Sequence, residues 1–273
     1  MKKLRIFIIS QEEPFYVPKV IRHLIEKNAG DYEIVGATCL KPHRKNKTMK
    51  DWFMERVKVY SYYELFITLC FMTYIKTTNL FSRINYFSVK ALYKDYSIPQ
   101  VSTDDINSPK FLNELNKLDI DVIISISPPQ LFKKELLKVP NKYCLNAHGT
   151  LLPRHRGVFG SWWMLFEEDK EIGATIHTME ERLDAGEILW QKSVETPDNA
   201  TQYSIAFQTK KLIALGLIEV LKDIRHDNET IIQSIYEESY HRAPTKEQGV
   251  EFRKKNKKII TFSNARLALS KRF

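Results

Sequence analysis

Residues 143–189 read YCLNAHGTLLPRHRGVFGSWWMLFEEDKEIGATIHTMEERLDAGEIL. The segment KYCLNAH (142–148) has the apolar run of a buried strand, and Gly149 and Pro153 turn its end into a loop. A helix over 158–168 comes next, then strands GATIHTM (173–179) and GEILWQKSV (186–194) joined by a turn at Asp184-Ala185-Gly186. Working outward, LRIFIIS (4–10), YEIVGATCL (32–40) and IDVIISIS (120–127) read as further strands. Helices are expected at 16–27, 109–118, 130–138 and 201–223 between and after them. Strands alternating with helices predict an α/β fold with a doubly wound, mostly parallel sheet.

One stretch breaks this rhythm. Residues 51–95 are aromatic-rich and predicted helical, and their most apolar part, YYELFITLCFMTYI (62–75), contains Glu64. A membrane span needs about 20 predominantly apolar residues, so this stretch is too short to cross a bilayer. It reads as a helical insertion packed on the core or on a partner subunit, with a homodimer implied by its aromatic content. Peripheral contact with an anionic membrane through 41–95 is the alternative.

The 273 residues carry 42 Lys+Arg against 33 Asp+Glu, a formal +9, with 43% hydrophobic and 27% charged content. These are globular proportions, which exclude a disordered or collagen-like chain. Residues 41–50 hold five positive charges and no acid, and residues 240–273 hold ten against Glu247 and Glu251. The rest of the chain is therefore net negative, and the excess charge describes peripheral patches suited to anionic partners. Cys39, Cys70 and Cys144 are odd in number and widely spaced, which argues for a reducing compartment and a cytoplasmic location. The opening MKKLRIFIIS is expected to be a first strand, since Arg5 interrupts its apolar run.

The chemistry concentrates in 143–189. Alternation along the strand puts Asn146 and His148 on one face, where both can reach one substrate atom. Loops beyond carboxyl strand ends are where open α/β sheets bind ligands. An amide donor, an imidazole and the Asp184 carboxylate suit acyl transfer: the amide stabilises a developing oxyanion, His exchanges protons and Asp orients it. No metal is expected, because His155 and His177 match no zinc spacing. His177 reads as a packed strand residue and His155 as a loop residue facing substrate. The first strand–helix turn, SQEEPFYVP (10–18), has no glycine, which removes a dinucleotide fingerprint and a P-loop.

Asn146-Ala147-His148, Leu151-Leu152-Pro153 with Arg154-His155-Arg156-Gly157, and GATIHTMEERLDAG (173–186) together resemble the folate-dependent formyltransferase superfamily. That group includes glycinamide ribonucleotide, methionyl-tRNA and nucleotide-amino-sugar formyltransferases. The resemblance implies a Rossmann-like fold with the aromatic insertion and a short C-terminal subdomain. Residues 1–200 would form the catalytic domain and 201–273 a helix and basic tail. It implies N10-formyltetrahydrofolate as donor and a triad of Asn146, His148 and Asp184. Its folate pocket would fall on Ile126, Ser127 and Pro128, on Leu151, Leu152 and Pro153, and on Glu181, Arg182 and Leu183. Gln11, Tyr16, Arg154, Arg156 and Trp162 are candidates for the acceptor.

The acceptor favoured by elimination is a nucleotide-linked amino sugar of a surface-polysaccharide pathway such as lipopolysaccharide. The glycine-free first turn lacks the phosphate loop of a glycinamide ribonucleotide enzyme. The residues after Val194 leave little room for an RNA-binding barrel, although the basic tail keeps tRNA as an alternative. A non-catalytic binding module on the same fold is the alternative from another class.

Overall fold

The computed structural model describes residues 2–42, 48–81 and 87–273. In chain order, β1 (Leu4–Gln11), α1 (Val17–Glu26), β2 (Tyr32–Leu40), α2 (Met49–Val57), α3 (Tyr62–Phe81), α4 (Val89–Asp95) and α5 (Pro109–Asn116) lead to β3 (Val122–Ile126). Then come α6 (Lys134–Leu137), β4 (Tyr143–His148), β5 (Arg156–Gly157), α7 (Gly160–Phe166), β6 (Glu171–Thr178) and β7 (Ile188–Glu195). The chain ends with α8 (Gln202–Arg225), β8 (Tyr240–His241), α9 (Lys246–Lys254) and α10 (Ala265–Ala268).

Six strands form one sheet in the order β2-β1-β3-β4-β6-β7. The first four are parallel, while β6 runs antiparallel to both β4 and β7. The expected mostly parallel α/β sheet is therefore the observed one. β3 is buried at every position, which explains its unbroken apolar sequence. Strand order reverses between β1 and β3, with Ser10 paired to Ile126 at their carboxyl ends. That places the topological switch point beside the end of β4, where doubly wound sheets open a ligand crevice.

Local chemistry sets the helix ends. The Glu13 carboxylate accepts the amides of Phe15, Tyr16 and Val17 at 2.7, 2.8 and 3.1 Å, placing negative charge at the amino end of α1. Thr201 and Ser204 form a reciprocal capping box on α8. The buried face of α8 includes Ile213, Leu217, Val220, Leu221 and Ile224, all members of the cluster that packs the central sheet. The expected boundary at residue 200 thus falls at the start of a helix belonging to the main core. Leu215 of the same helix is exposed, and at Gly216 the Trp190 ring lies so close that a Cβ would come within 2.6 Å of it. The helix expected over 130–138 shortens to α6. Pro128 and Pro129 lack amide donors, and Gln130 anchors the extended segment through Asp104 O and the Ile106 amide at 2.8 and 3.1 Å.

The aromatic insertion is helical and packs on the body. Ile67, Phe71 and Ile75 of α3 are buried, and Ile67 and Phe71 share a cluster with Val59, Trp162, Phe252, Ile259 and Ile260. The same helix exposes Tyr62, Tyr63, Phe66, Leu69 and Tyr74. Glu64 is buried because its carboxylate is fully used: Oε1 accepts the Ile259 amide at 2.6 Å, and Oε2 accepts the Ser61 amide and hydroxyl, each at 2.8 Å. Among the described residues no helix is long and apolar enough to cross a membrane. Most of the basic run at 41–50 lies outside the described residues.

Glu64 therefore ties the insertion to the C-terminal segment. Replacing it by Ala leaves buried amides of two elements without an acceptor, and the expected loss is about 1–3 kcal/mol. Urea unfolding reads this as a lower midpoint at unchanged slope, and an unchanged midpoint would refute the tie.

Candidate active site

The site is built where β4 ends. Asn146 and His148 share a face of that strand, and both side chains are half-buried. Ser125 Oγ on β3 donates to Asn146 Oδ1 at 3.0 Å, which fixes the amide so that Nδ2 points away from β3. Nδ2 lies 3.1 Å from His177 Nε2 and 3.4 Å from Asp184 Oδ1. His177 Nδ1–H donates to Thr178 O at 2.7 Å, so its Nε2 carries the lone pair that accepts from Asn146. Burial, reinforced by the nearby His148, pushes the His177 imidazole down to about 4, and the ring stays neutral at physiological pH.

Each nitrogen of His148 faces an oxygen: Nδ1 lies 3.7 Å from Asp184 Oδ1 and Nε2 3.3 Å from His155 O. Asp184 has a left-handed φ of 50° in the β6–β7 turn. Its Oδ2 accepts the Gly157 amide at 2.9 Å. Two glycines make this possible. A Cβ at Gly186 would lie 1.9 Å from Thr178 O, and one at Gly157, whose φ is 102°, would lie 2.2 Å from His241 O. The Arg156 guanidinium clasps the turn from behind, bonded to Leu183 O and to the Glu238 carboxylate.

The structure therefore brings Asn146, His148 and Asp184 together. It turns other expected residues away from the opening. Trp162, expected to face an acceptor, is fully buried between Phe166 and Phe252, with ring centroids 4.8 and 4.9 Å away, so its role is packing. Arg156 is buried and committed to the Asp184 turn, and it too is not an acceptor-facing group. Ile126, Leu151 and Leu152 have buried side chains, and the Leu152 amide and carbonyl are already bonded to Thr175 Oγ1 and Gln191 Nε2 at 3.1 and 2.7 Å. Around them, Ser127, Pro128, Pro153 and Leu183 are half-buried and Glu181 and Arg182 are exposed. Arg154 lies over the Tyr236 ring, with its guanidinium carbon 5.0 Å from the centroid. Gln11 ends β1, and Tyr16 packs on Tyr203 with centroids 5.0 Å apart.

Sequence patterns do not reveal two further side chains. His177 sits in a strand pattern that gives no hint of its hydrogen bond to Asn146. Lys210, on α8, donates to Ser127 Oγ at 2.8 Å beside the switch point. Burial lowers its ammonium to about 8, with Glu13 opposing that shift. Nothing in the sequence distinguishes this lysine from Lys211. His155, expected to face substrate, is instead buried, with Nε2 2.7 Å from Asp169 Oδ2. A separate cleft of about 380 Å³ lies between the insertion and the C-terminal segment, lined by Glu55, Lys58, Phe159, Pro244 and Thr245 among others.

Comparison with known proteins agrees with this geometry. Residues 82–221 match the family described as formyl transferase. Over 123 residues the chain is 33% identical to the bifunctional polymyxin resistance protein ArnA of Wigglesworthia glossinidia brevipalpis, covering 45% of this chain and 19% of that protein. Over 170 residues it is 28% identical to the methionyl-tRNA formyltransferase of Caldanaerobacter subterraneus subsp. tengcongensis, covering 61% and 55%. The chain thus spans about half, or less, of the length of the curated relatives it matches.

Among solved structures, phosphoribosylglycinamide formyltransferase from Anaplasma phagocytophilum superposes with a TM-score of 0.60 at 15% identity, covering 88% of this chain and 98% of that one. An N-formyltransferase from Helicobacter canadensis, in complex with folinic acid and dTDP-3-aminofucose, superposes with a TM-score of 0.56 at 17% identity, covering 87% and 70%. At these identities the shared property is the fold.

The neutral, buried His177 makes stability pH-dependent. Its folded pKa lies below the ordinary value of 6.5, so between about 6.5 and 4 the unfolded chain binds the extra proton, and stability falls as pH falls through that window. Unfolding free energies of wild type and His177→Gln are expected to converge on acidification by about 1 kcal/mol per pH unit there. Parallel pH profiles would show that the buried neutral ring is not the cause.

Proposed function

This chain belongs to the formyl transferase family, and from that premise we propose that it transfers a formyl group from N10-formyltetrahydrofolate to the primary amine of a nucleotide-linked amino sugar. The observation that carries the reading is the convergence of Asn146, His148 and Asp184 at the end of β4, with His177 behind them. Sugar N-formyltransferases among the neighbours of like fold support the acceptor class.

The residues present fit the donor. Asn146 Nδ2 is an amide donor held by Ser125, and in this reading the carboxyl end of β3, the 151–153 loop and the 181–183 turn form the pterin pocket. N10-formyltetrahydrofolate supplies the formyl carbon when bound. In this reading an Asn146 Nδ2–H gives up its 3.4 Å contact with Asp184 Oδ1, and a His148 ring N–H its 3.3 Å contact with His155 O, to donate to the negative charge that develops on the formyl oxygen as the amine attacks. Asp184 Oδ1, near both, orients the imidazole and stabilises the positive charge the ring takes on with a proton. The C–N bond to the new amine forms, the bond to N10 breaks, and the proton lost by the amine passes to N10 with His148 and Asp184 as relay. His177, held neutral, keeps Asn146 aimed without adding a competing charge.

In this reading Arg154, beside Tyr236 and Asp169, and Lys210, beside Ser127, meet the acceptor's phosphates. Gln11, at the carboxyl end of β1, and Tyr16, just before α1, are the further acceptor candidates of this reading. A homodimer belongs to this reading, with the exposed rings of α3 as its contact surface. The basic residues after 240 keep aminoacylated tRNA as the competing acceptor.

Formyl transfer from N10-formyltetrahydrofolate is measured by product mass against nucleoside-diphosphate amino sugars, charged initiator tRNA and glycinamide ribonucleotide. The expected result is a formamide on an amino sugar alone, and formylation only of tRNA or of the ribonucleotide overturns the acceptor. Asn146→Ala and His148→Ala are each expected to lower kcat/KM about 10²–10⁴-fold. Activity within twofold of wild type would remove those residues from the chemistry.

A further inference from the structure

Three side chains distant in sequence meet behind the catalytic strand: His155 in the loop after β4, Glu167 just beyond α7, and His241 in β8. Glu167 Oε2 lies 3.9 Å from His155 Nδ1, and Glu167 Oε1 lies 3.4 Å from His241 Nε2. The ligand atoms of all three residues lie within 4.8 Å of one another. Both nitrogens are buried and make no hydrogen bond. His155 as a whole is only 1% exposed.

The surroundings prepare these nitrogens as lone pairs. His155 Nε2 lies 2.7 Å from Asp169 Oδ2, which holds the proton on that side and leaves Nδ1 free to donate its electron pair. A carboxylate behind a histidine in this way is the usual support of a metal-binding imidazole. The two imidazoles stack with centroids 5.0 Å apart and planes at 29°, and His241 stacks in turn on Trp163 at 4.3 Å and 17°. Two buried ring nitrogens without a hydrogen-bond partner beside a carboxylate form a ligand set.

We propose that His155 Nδ1, His241 Nε2 and the Glu167 carboxylate form a binding site for a divalent transition-metal ion of the zinc class, with water completing four-coordination. Two imidazoles and one carboxylate suit zinc, cobalt or nickel far better than magnesium or calcium, which take oxygen ligands. Bonds of about 2.0–2.1 Å to a tetrahedral ion put its ligand atoms roughly 3.3 Å apart; the His241 separation of 3.4 Å matches that value, and the His155 separation of 3.9 Å, to the other Glu167 oxygen, has to close by a shift of that carboxylate. The ion touches no reacting atom. It fastens the 153–157 loop to α7 and to β8, and that loop supplies the His155 carbonyl facing His148 and the Gly157 amide facing Asp184. The spacing rule that excludes a zinc motif around His155 and His177 fails here, because the second histidine lies far along the chain at 241.

The test uses the full chain, stripped with a chelator and titrated with ZnCl2 by calorimetry and with CoCl2 by visible absorption. Wild type is expected to take up one equivalent of each ion, with the intense d–d bands of four-coordinate cobalt. His241→Phe, which keeps a ring on Trp163, and Glu167→Gln, at a more exposed position, are each expected to abolish that equivalent while the circular dichroism of the metal-free protein is unchanged. Asp169→Asn is expected to weaken it roughly 10–100-fold. His148→Ala and Cys39→Ser are expected to bind as wild type. No uptake by wild type, or equal uptake by Glu167→Gln and His241→Phe, overturns the site; loss in His148→Ala alone would move the metal to the catalytic histidines.

Discussion

The carboxylate of Asp184 is the point on which the site depends. Its side chain is almost wholly withdrawn from water, at 4% exposure, and a buried carboxylate is costly unless its oxygens are satisfied. One oxygen accepts the Gly157 amide; the other receives the Asn146 amide and faces two imidazoles. These partners come from β4, β5 and β6. Satisfying one charge thus requires the whole junction to assemble, and the assembled junction is the candidate site.

Backbone geometry enforces the same meeting. Asp184 reaches its place because the β6–β7 turn passes against Thr178, a distance open only to glycine at 186. β6 runs antiparallel beside β4, setting His177 directly opposite Asn146 in the register. The reversal of direction between β4 and β6 is what lets a residue of one strand support the amide of the other. A parallel neighbour would need a crossover and would bring its own carboxyl end to the same edge.

The C-terminal segment is part of this architecture as much as the sheet is. Glu238 holds both Arg156 and Arg182, Ser239 accepts the Arg156 amide through its carbonyl, and β8 pairs with β5. The α3 insertion reaches the same region from the other side through Glu64 and the Ile259 amide. Much of the basic charge that gives the chain its +9 lies on this shell, while the centre it encloses holds Asp184 as a buried acid. Net charge therefore describes the surface that the site is built behind, and it carries little information about the chemistry.

The amino-acid sequence by itself determined the strand–helix alternation, the buried apolar strands, the glycine at 186 and the pairing of Asn146 with His148 on one strand face. Those features are local: a period of two, an apolar run or a turn residue expresses itself within a few positions. The sequence also determined that α3 would be helical with a buried side, since Ile67, Phe71 and Ile75 repeat at helical spacing. Only the tertiary structure decided that Trp162 and Arg156 face inward, that α8 belongs to the main core, that Lys210 reaches Ser127, and that His155 finds His241. Each of those depends on which distant segment occupies the neighbouring space. A side chain's partner across a fold is set by packing between elements, which no short-range pattern encodes.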